Sequence, residues 1–249
     1  MEACPYLSVV IPAYNEQERL QRFVPGIVEF LQSKGQPFEI IVVNDGSQDD
    51  TALVARELSK KFPMLRLIDY RPNRGKGAAV KAGMLDARGQ YVLFTDADQS
   101  TPITEVDKLL AKMERSGYDI AIGSRSMPGA RVEQPQVWYR ALAGKLFGLG
   151  TRLFCIHGIH DTQCGFKAMK REVAQKVFQQ VTSNSAIFDI EMLVVATREG
   201  FRVAEVAVKW VDDPDTRIPY NLQRALHIWV ELFRIRRAQR LRWSLKARI

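Results

Sequence analysis

Short runs of apolar, β-branched residues recur through the first half of the chain: LSVVI (7–11), FEIIVV (38–43), LRLID (65–69), YVLFT (91–95) and DIAIG (119–123). Runs of this length with few polar positions predict strands buried on both faces, as in a parallel sheet. Between them the apolar residues change to helical spacing, over roughly 16–34, 49–61, 76–87 and 103–115. Strands alternating with helices predict right-handed crossovers and an open α/β sheet. Two boundaries carry signals of their own. Ser47 and Asp50 have the spacing of a capping box before the second helix, and Thr101-Pro102 suits the start of the fourth.

Beyond residue 125 the pattern loosens. SRSMPGARVEQPQ reads as a polar loop, VWYRALAGKLFGLGTRLF (137–154) as a helix, and CIHGIHDTQCGF as a second loop before helices near 170–181 and 188–199. FRVAEVAVKW (201–210) alternates as a strand does. From 219 to 249 the chain reads as a basic amphipathic helical tail. Leu222, Leu226, Trp229, Leu232 and Phe233 fall at helical spacing, and Arg224, Arg234, Arg237 and Arg240 supply a cationic face. Such a helix can lie on anionic lipid or pack on the preceding domain with its basic end in water.

The 249 residues, 46% of them apolar, are enough for one large domain or two small ones, which excludes a disordered chain. The three cysteines, Cys4, Cys155 and Cys164, do not make a disulfide scaffold, and a reducing, cytosol-facing location is expected. The N-terminus lacks the features of a secretory signal, and no apolar run reaches the ~18–20 residues of a membrane-spanning helix. A soluble or peripheral protein is expected. Its formal charge of +8 favours phosphates and anionic surfaces as partners.

Against that charge, FTDADQSTP (94–102) places two carboxylates one residue apart at the end of a strand. In a parallel α/β sheet ligands bind beyond the carboxyl ends of the strands. There NDGS (44–47), NRGKG (73–77) and DAD (96–98) fall at one edge. Asp96 and Asp98 repel one another unless a cation lies between them. Mg²⁺ or Mn²⁺ on such a pair completes its shell with water and substrate phosphates. A second reading of DAD is a strand end and helix cap. Gly75 and Lys76 suit close approach of backbone and a positive charge to phosphate, and equally an ordinary turn. The order of residues is neither that of a P-loop nor of a dinucleotide fingerprint. The set Cys155, His157, His160 and Cys164 lacks the spacing of a structural zinc site.

The ordered set VVIPAYNE, IIVVNDGSQDDT, NRGKGAAVKAG, FTDADQSTP, IGSR and DTQCGFK resembles the family-two inverting glycosyltransferases of the GT-A fold. More narrowly it is similar to the dolichyl-phosphate and polyprenyl-phosphate sugar synthases. DTQCGFK with FDIE is closer to the dolichyl-phosphate glucosyltransferase branch than to the mannose synthases. The resemblance runs from about Leu7 to Trp210. It implies a Rossmann-like, mostly parallel sheet flanked by helices, with a catalytic domain over 1–218. By the same resemblance Pro12, Tyr14, Glu16 and Asp45 would line the nucleotide pocket, with Asp45 near the base or ribose. Asp96 and Asp98 would meet ribose, metal and diphosphate. Arg125, Arg140 and Arg217, the last in place of a short GSK-like motif, would face the phosphate of a lipid acceptor. Ser100 occupies a position where mannose synthases often carry Gln.

The expected reaction is transfer of a hexose from a nucleotide diphosphate sugar, UDP-glucose or GDP-mannose, to a polyprenyl phosphate with inversion. The departing diphosphate gains negative charge that metal and cationic groups stabilise. An acceptor phosphate is already ionised and needs positioning. If the acceptor is instead a saccharide hydroxyl, a general base is required, and Asp189 or Glu191 in IFDIEML is the candidate; both also read as carboxylates at a helix start. A lipid acceptor places the protein in peripheral contact with the cytoplasmic face of a membrane. A nucleic-acid-binding module would explain the charge but not the acidic pair, so no nucleic acid is expected as a partner.

Overall fold

The structure is a computed structural model, and it describes residues 4–133, 158–211 and 230–233. Nine strands and six α-helices are found among them. In chain order they are β1 (Leu7–Ala13), α1 (Gln17–Ser33), β2 (Phe38–Asp45), α2 (Thr51–Lys61), β3 (Leu65–Tyr70), α3 (Lys76–Asp86) and β4 (Tyr91–Thr95). A 3-10 turn (Ile103–Glu105) then leads into α4 (Val106–Ser116) and β5 (Ile120–Ser124). After these come β6 (Arg131–Glu133), β7 (Phe166–Lys170), α5 (Arg171–Phe178), α6 (Phe188–Arg198), β8 (Val203–Ala207) and β9 (Lys209–Val211).

Seven strands form one sheet in the order β3-β2-β1-β4-β7-β5-β8. All five strands expected in the first half of the chain are present and run parallel. The unexpected one is β7, which lies antiparallel between β4 and β5. It was hidden because FKAMK is five residues long with lysines at its second and last places, inside a stretch that reads as loop followed by helix. FRVAEVAVKW is two strands: β8 stays in the main sheet, whereas β9 leaves it to pair with β6.

Side chains alternate across the sheet, so each strand feeds two cores. On one face Val9, Ile11, Ile40 and Val42 pack with Leu20, Val24 and Ile27 of α1, Val54 of α2 and Leu109 of α4. On the other Val10, Ile41, Val43 and Phe94 meet Val80 and Met84 of α3, Phe178 of α5 and Phe188 of α6. Leu232, in the short helical piece at 230–233, is buried in this second core, while Val230 and Phe233 are exposed. The rest of the expected tail helix lies outside the described residues.

The expected capping box does not form. Asp50 stands at the N-cap of α2 without a side-chain cap, and Ser47 Oγ instead accepts the Asn15 N–H at 2.9 Å. Thr51 Oγ1 accepts the Glu16 N–H at 2.8 Å, and Asn15 Oδ1 the Gln48 N–H at 2.8 Å. These short polar side chains therefore bind the β1–α1 loop to the β2–α2 loop. That leaves fewer of them for the helix end.

Candidate active site

The carboxyl ends of β1, β2, β3, β4, β5 and β8 and the start of antiparallel β7 meet at one edge of the sheet. The register pairs Thr95 with Phe166, which sets Gly165 against Asp96. Asp96 N–H donates to the Gly165 carbonyl at 3.2 Å. A Cβ on residue 165 would lie 2.0 Å from Asp96 Oδ2, so any side chain there would have to displace this carboxylate. Gly165→Ala is expected to lower stability in urea unfolding by about 1–3 kcal/mol, the usual cost of overpacking; unchanged stability would contradict the contact.

Asp98 is half-buried, and its Oδ1 accepts the Ser100 N–H at 2.9 Å. Burial and then the charge of Asp96 push its carboxyl above the ordinary range. This is the electrostatic condition a divalent cation relieves. Two adjacent hard-oxygen donors, with no group of three or more acidic, His or Cys ligands among the described residues, fit a metal that takes its other ligands from diphosphate and water. Lys76, first residue of α3, places Nζ 2.7 Å from Asp96 Oδ1.

The turn before Lys76 is built by Asp45. Its buried carboxylate accepts the N–H groups of Arg74 at 2.8 Å and Gly75 at 2.9 Å. Asp45 thus braces the turn that leads into Lys76. Gly75 and Gly77 have a packing reason that sequence reading missed. A Cβ on Gly75, whose φ is +99°, would meet Asn184 O at 2.3 Å, and one on Gly77 would meet Ser183 O at 2.5 Å. The Gly77 N–H donates to Asn184 O at 2.9 Å. Residues 182–183, which lead into Asn184, are themselves held by Glu191. Its buried carboxylate accepts Thr182 N–H at 2.9 Å, Thr182 Oγ1–H at 2.9 Å and Ser183 N–H at 2.7 Å.

Asp189 is buried and pairs at 2.5 Å with Lys167 Nζ, which is fully buried, also donates to Cys164 O and lies 5.1 Å from the centre of the Phe94 ring. Burial raises the Asp189 carboxyl, against the pull of Lys167 and Lys76. At the carboxyl end of β1 and just after it, Pro12 is partly buried, Tyr14 is exposed, and Glu16 is salt-bridged to Arg19 at 2.9 Å.

Arg125 leaves the end of β5 and is gripped by Asp161, which sequence reading did not single out although it opens DTQCGFK. Asp161 accepts Arg125 Nε at 2.7 Å, Nη2 at 2.8 Å and the backbone N–H at 2.9 Å. The guanidinium lies 5.3 Å from the Trp210 ring centre. Glu205 on β8 accepts the N–H groups of His160 at 2.8 Å and Asp161 at 2.9 Å, so it holds the segment that holds the arginine. Despite burial, the Arg125 pairing keeps the Asp161 carboxyl below its ordinary range. Cys164 is buried, and burial pushes its thiol up to about 11, so it is inert at neutral pH. Arg140, Arg217, Cys155 and His157 lie outside the described residues.

An open α/β sheet thus carries an acidic pair, an adjoining lysine turn and a braced arginine at one edge. The profile of glycosyl transferase family 2 matches residues 8–178, and the chain belongs to that family. The dolichyl-phosphate β-glucosyltransferase of Dictyostelium discoideum is 38% identical over 221 residues, 83% of this chain and 67% of that protein. The protein of the same name from Drosophila melanogaster is 39% identical over 218 residues, again 83% and 67% of the two chains. Among solved structures, glucosyl-3-phosphoglycerate synthase from Mycobacterium tuberculosis, crystallised with Mn²⁺, UDP-glucose and phosphoglyceric acid, superposes with a TM-score of 0.67 at 17% identity. The match covers 96% of this chain and 80% of that one, and it shows the shared fold.

Proposed function

We propose that the chain transfers glucose from UDP-glucose to the phosphate of a dolichyl or other polyprenyl lipid, with inversion at the anomeric carbon. The observation that carries this reading is the placement of Asp96, Asp98, Lys76 and Arg125 at one sheet edge, in a chain whose relatives are dolichyl-phosphate β-glucosyltransferases. Asp96 and Asp98 would hold Mg²⁺ or Mn²⁺, whose positive charge, when bound, stabilises the departing diphosphate. Lys76 adds a second positive charge at the same place. Arg125, oriented by Asp161 and backed by Trp210, directs the acceptor phosphate.

The surroundings favour an acceptor that brings its own negative charge. A hydroxyl acceptor needs a base. Both oxygens of Glu191 are engaged by residues 182–183, and Asp189 is paired with Lys167. A phosphate oxygen needs only orientation, for which the braced arginine is suited. Glucose is favoured over mannose because the relatives are β-glucosyltransferases, and UDP as its carrier because the glucosyl synthase of the same fold was crystallised with UDP-glucose. The lipid acceptor implies peripheral contact with the cytoplasmic face of a membrane, and the exposed Val230 and Phe233 support that contact. No helix among the described residues is long and apolar enough to cross a bilayer.

The test supplies labelled UDP-glucose and Mn²⁺ with dolichyl phosphate or dolichol in vesicles, and repeats both with GDP-mannose. Label is expected in lipid with UDP-glucose and dolichyl phosphate alone. Equal transfer to dolichol, or preference for GDP-mannose, would overturn the assignment of acceptor or donor respectively.

A further inference from the structure

A cation already stands on the oxygen that the acidic pair would turn to a metal: Lys76 Nζ is 2.7 Å from Asp96 Oδ1. The backbone that carries this lysine is fixed on both sides. The Gly75 N–H is held by Asp45 and the Gly77 N–H by Asn184 O, so the ammonium is aimed by the fold. Asp189, paired with Lys167, is a second carboxylate near enough to act on Lys76 electrostatically.

A divalent ion between Asp96 and Asp98 would share Asp96 with this ammonium, and like charges that close oppose one another. A nucleoside diphosphate reverses the balance, because its oxygens accept Lys76 and also complete the shell of the metal. We infer that Lys76 is a resident competitor of the metal at Asp96, so that the site takes up Mn²⁺ or Mg²⁺ together with the nucleotide rather than before it. This role presupposes the metal-dependent transfer proposed above. By linkage, the nucleotide tightens the metal by the same factor as the metal tightens the nucleotide. Lys76 is the residue that makes this factor large.

Mn²⁺ binding, read from loss of the free-ion electron paramagnetic resonance signal, tests this without any turnover. Wild type, Lys76→Met, Lys76→Gln and Lys76→Arg are titrated with Mn²⁺ alone and with Mn²⁺ plus UDP, each shown folded by its melting curve. Wild type is expected to bind Mn²⁺ weakly alone and at least tenfold more tightly with UDP, on the order expected for removing one close like charge. The two neutral variants should bind Mn²⁺ alone about tenfold more tightly than wild type, with a smaller gain from UDP, again by that one-charge argument. Lys76→Arg, which keeps the charge, should resemble wild type. If UDP tightens Mn²⁺ on wild type but the neutral variants bind Mn²⁺ alone no better than wild type, the competitor role is overturned and the proposed function stands. If no form takes up Mn²⁺ with or without UDP, both are overturned.

Discussion

Asp98→Asn is expected to lower glucosyl transfer roughly a thousandfold, the scale set by several kcal/mol of lost charge stabilisation at the departing diphosphate. The fold should be unaffected. Asp98 carries its charge at a cost in the folded state, since burial and the neighbouring Asp96 both raise its pKa. Asparagine removes that charge and keeps an oxygen for the Ser100 N–H. Melting temperature should therefore hold or rise slightly while activity collapses. The transfer assay beside a thermal melt separates the two effects. Near-normal turnover, or a loss that merely follows unfolding, would remove the acidic pair from the chemistry.

The second large effect is on stability. Lys167→Met is expected to destabilise the protein by about 3–5 kcal/mol, because it leaves Asp189 buried without its partner. Replacing both, as Lys167→Met with Asp189→Asn, should recover most of that loss, since a buried pair contributes far less than the cost of breaking it. Urea unfolding measures both variants. The dependence on pH has a definite sign. Burial holds the folded-state Asp189 carboxyl above its ordinary value, and more so without Lys167. The folded single variant then binds a proton that the unfolded chain does not, and its stability falls as pH rises above the ordinary carboxylate pKa. Its deficit should therefore be smallest on the acid side. A deficit independent of pH, or no recovery in the double variant, would show that Lys167 matters for packing alone.

Much of this arrangement is legible in the chain because its signals are local. β1 to β5 announce themselves as apolar runs, and DAD, NDGS and NRGKG follow strands whose carboxyl ends a parallel sheet must bring to one edge. What the chain conceals depends on contacts between distant segments. β7 reads as loop and helix because its second residue, Lys167, looks like a surface residue, yet it is fully buried against Asp189 and Phe94. Gly75 and Gly77 suggest a phosphate cradle, but their missing side chains make room for residues 183–184. Gly165 carries no local turn signal, and its need appears only when Asp96 is laid against it. Glu191 reads as a base and serves to brace residues 182–183. The grip of Asp161 on Arg125 spans 36 positions, beyond the reach of any periodicity.

The stereochemistry of a single transfer bears most directly on the central claim. Purified chain, UDP-glucose labelled with ¹³C at the anomeric carbon, Mn²⁺ and dolichyl phosphate would be combined and the lipid product read by nuclear magnetic resonance. The account predicts a β-linked glucosyl phosphate, with the anomeric carbon coupled to phosphorus, in wild type and none with Asp98→Asn. An α-linked product, a glucosyl group without coupling to phosphorus, or the same yield from Asp98→Asn would contradict it.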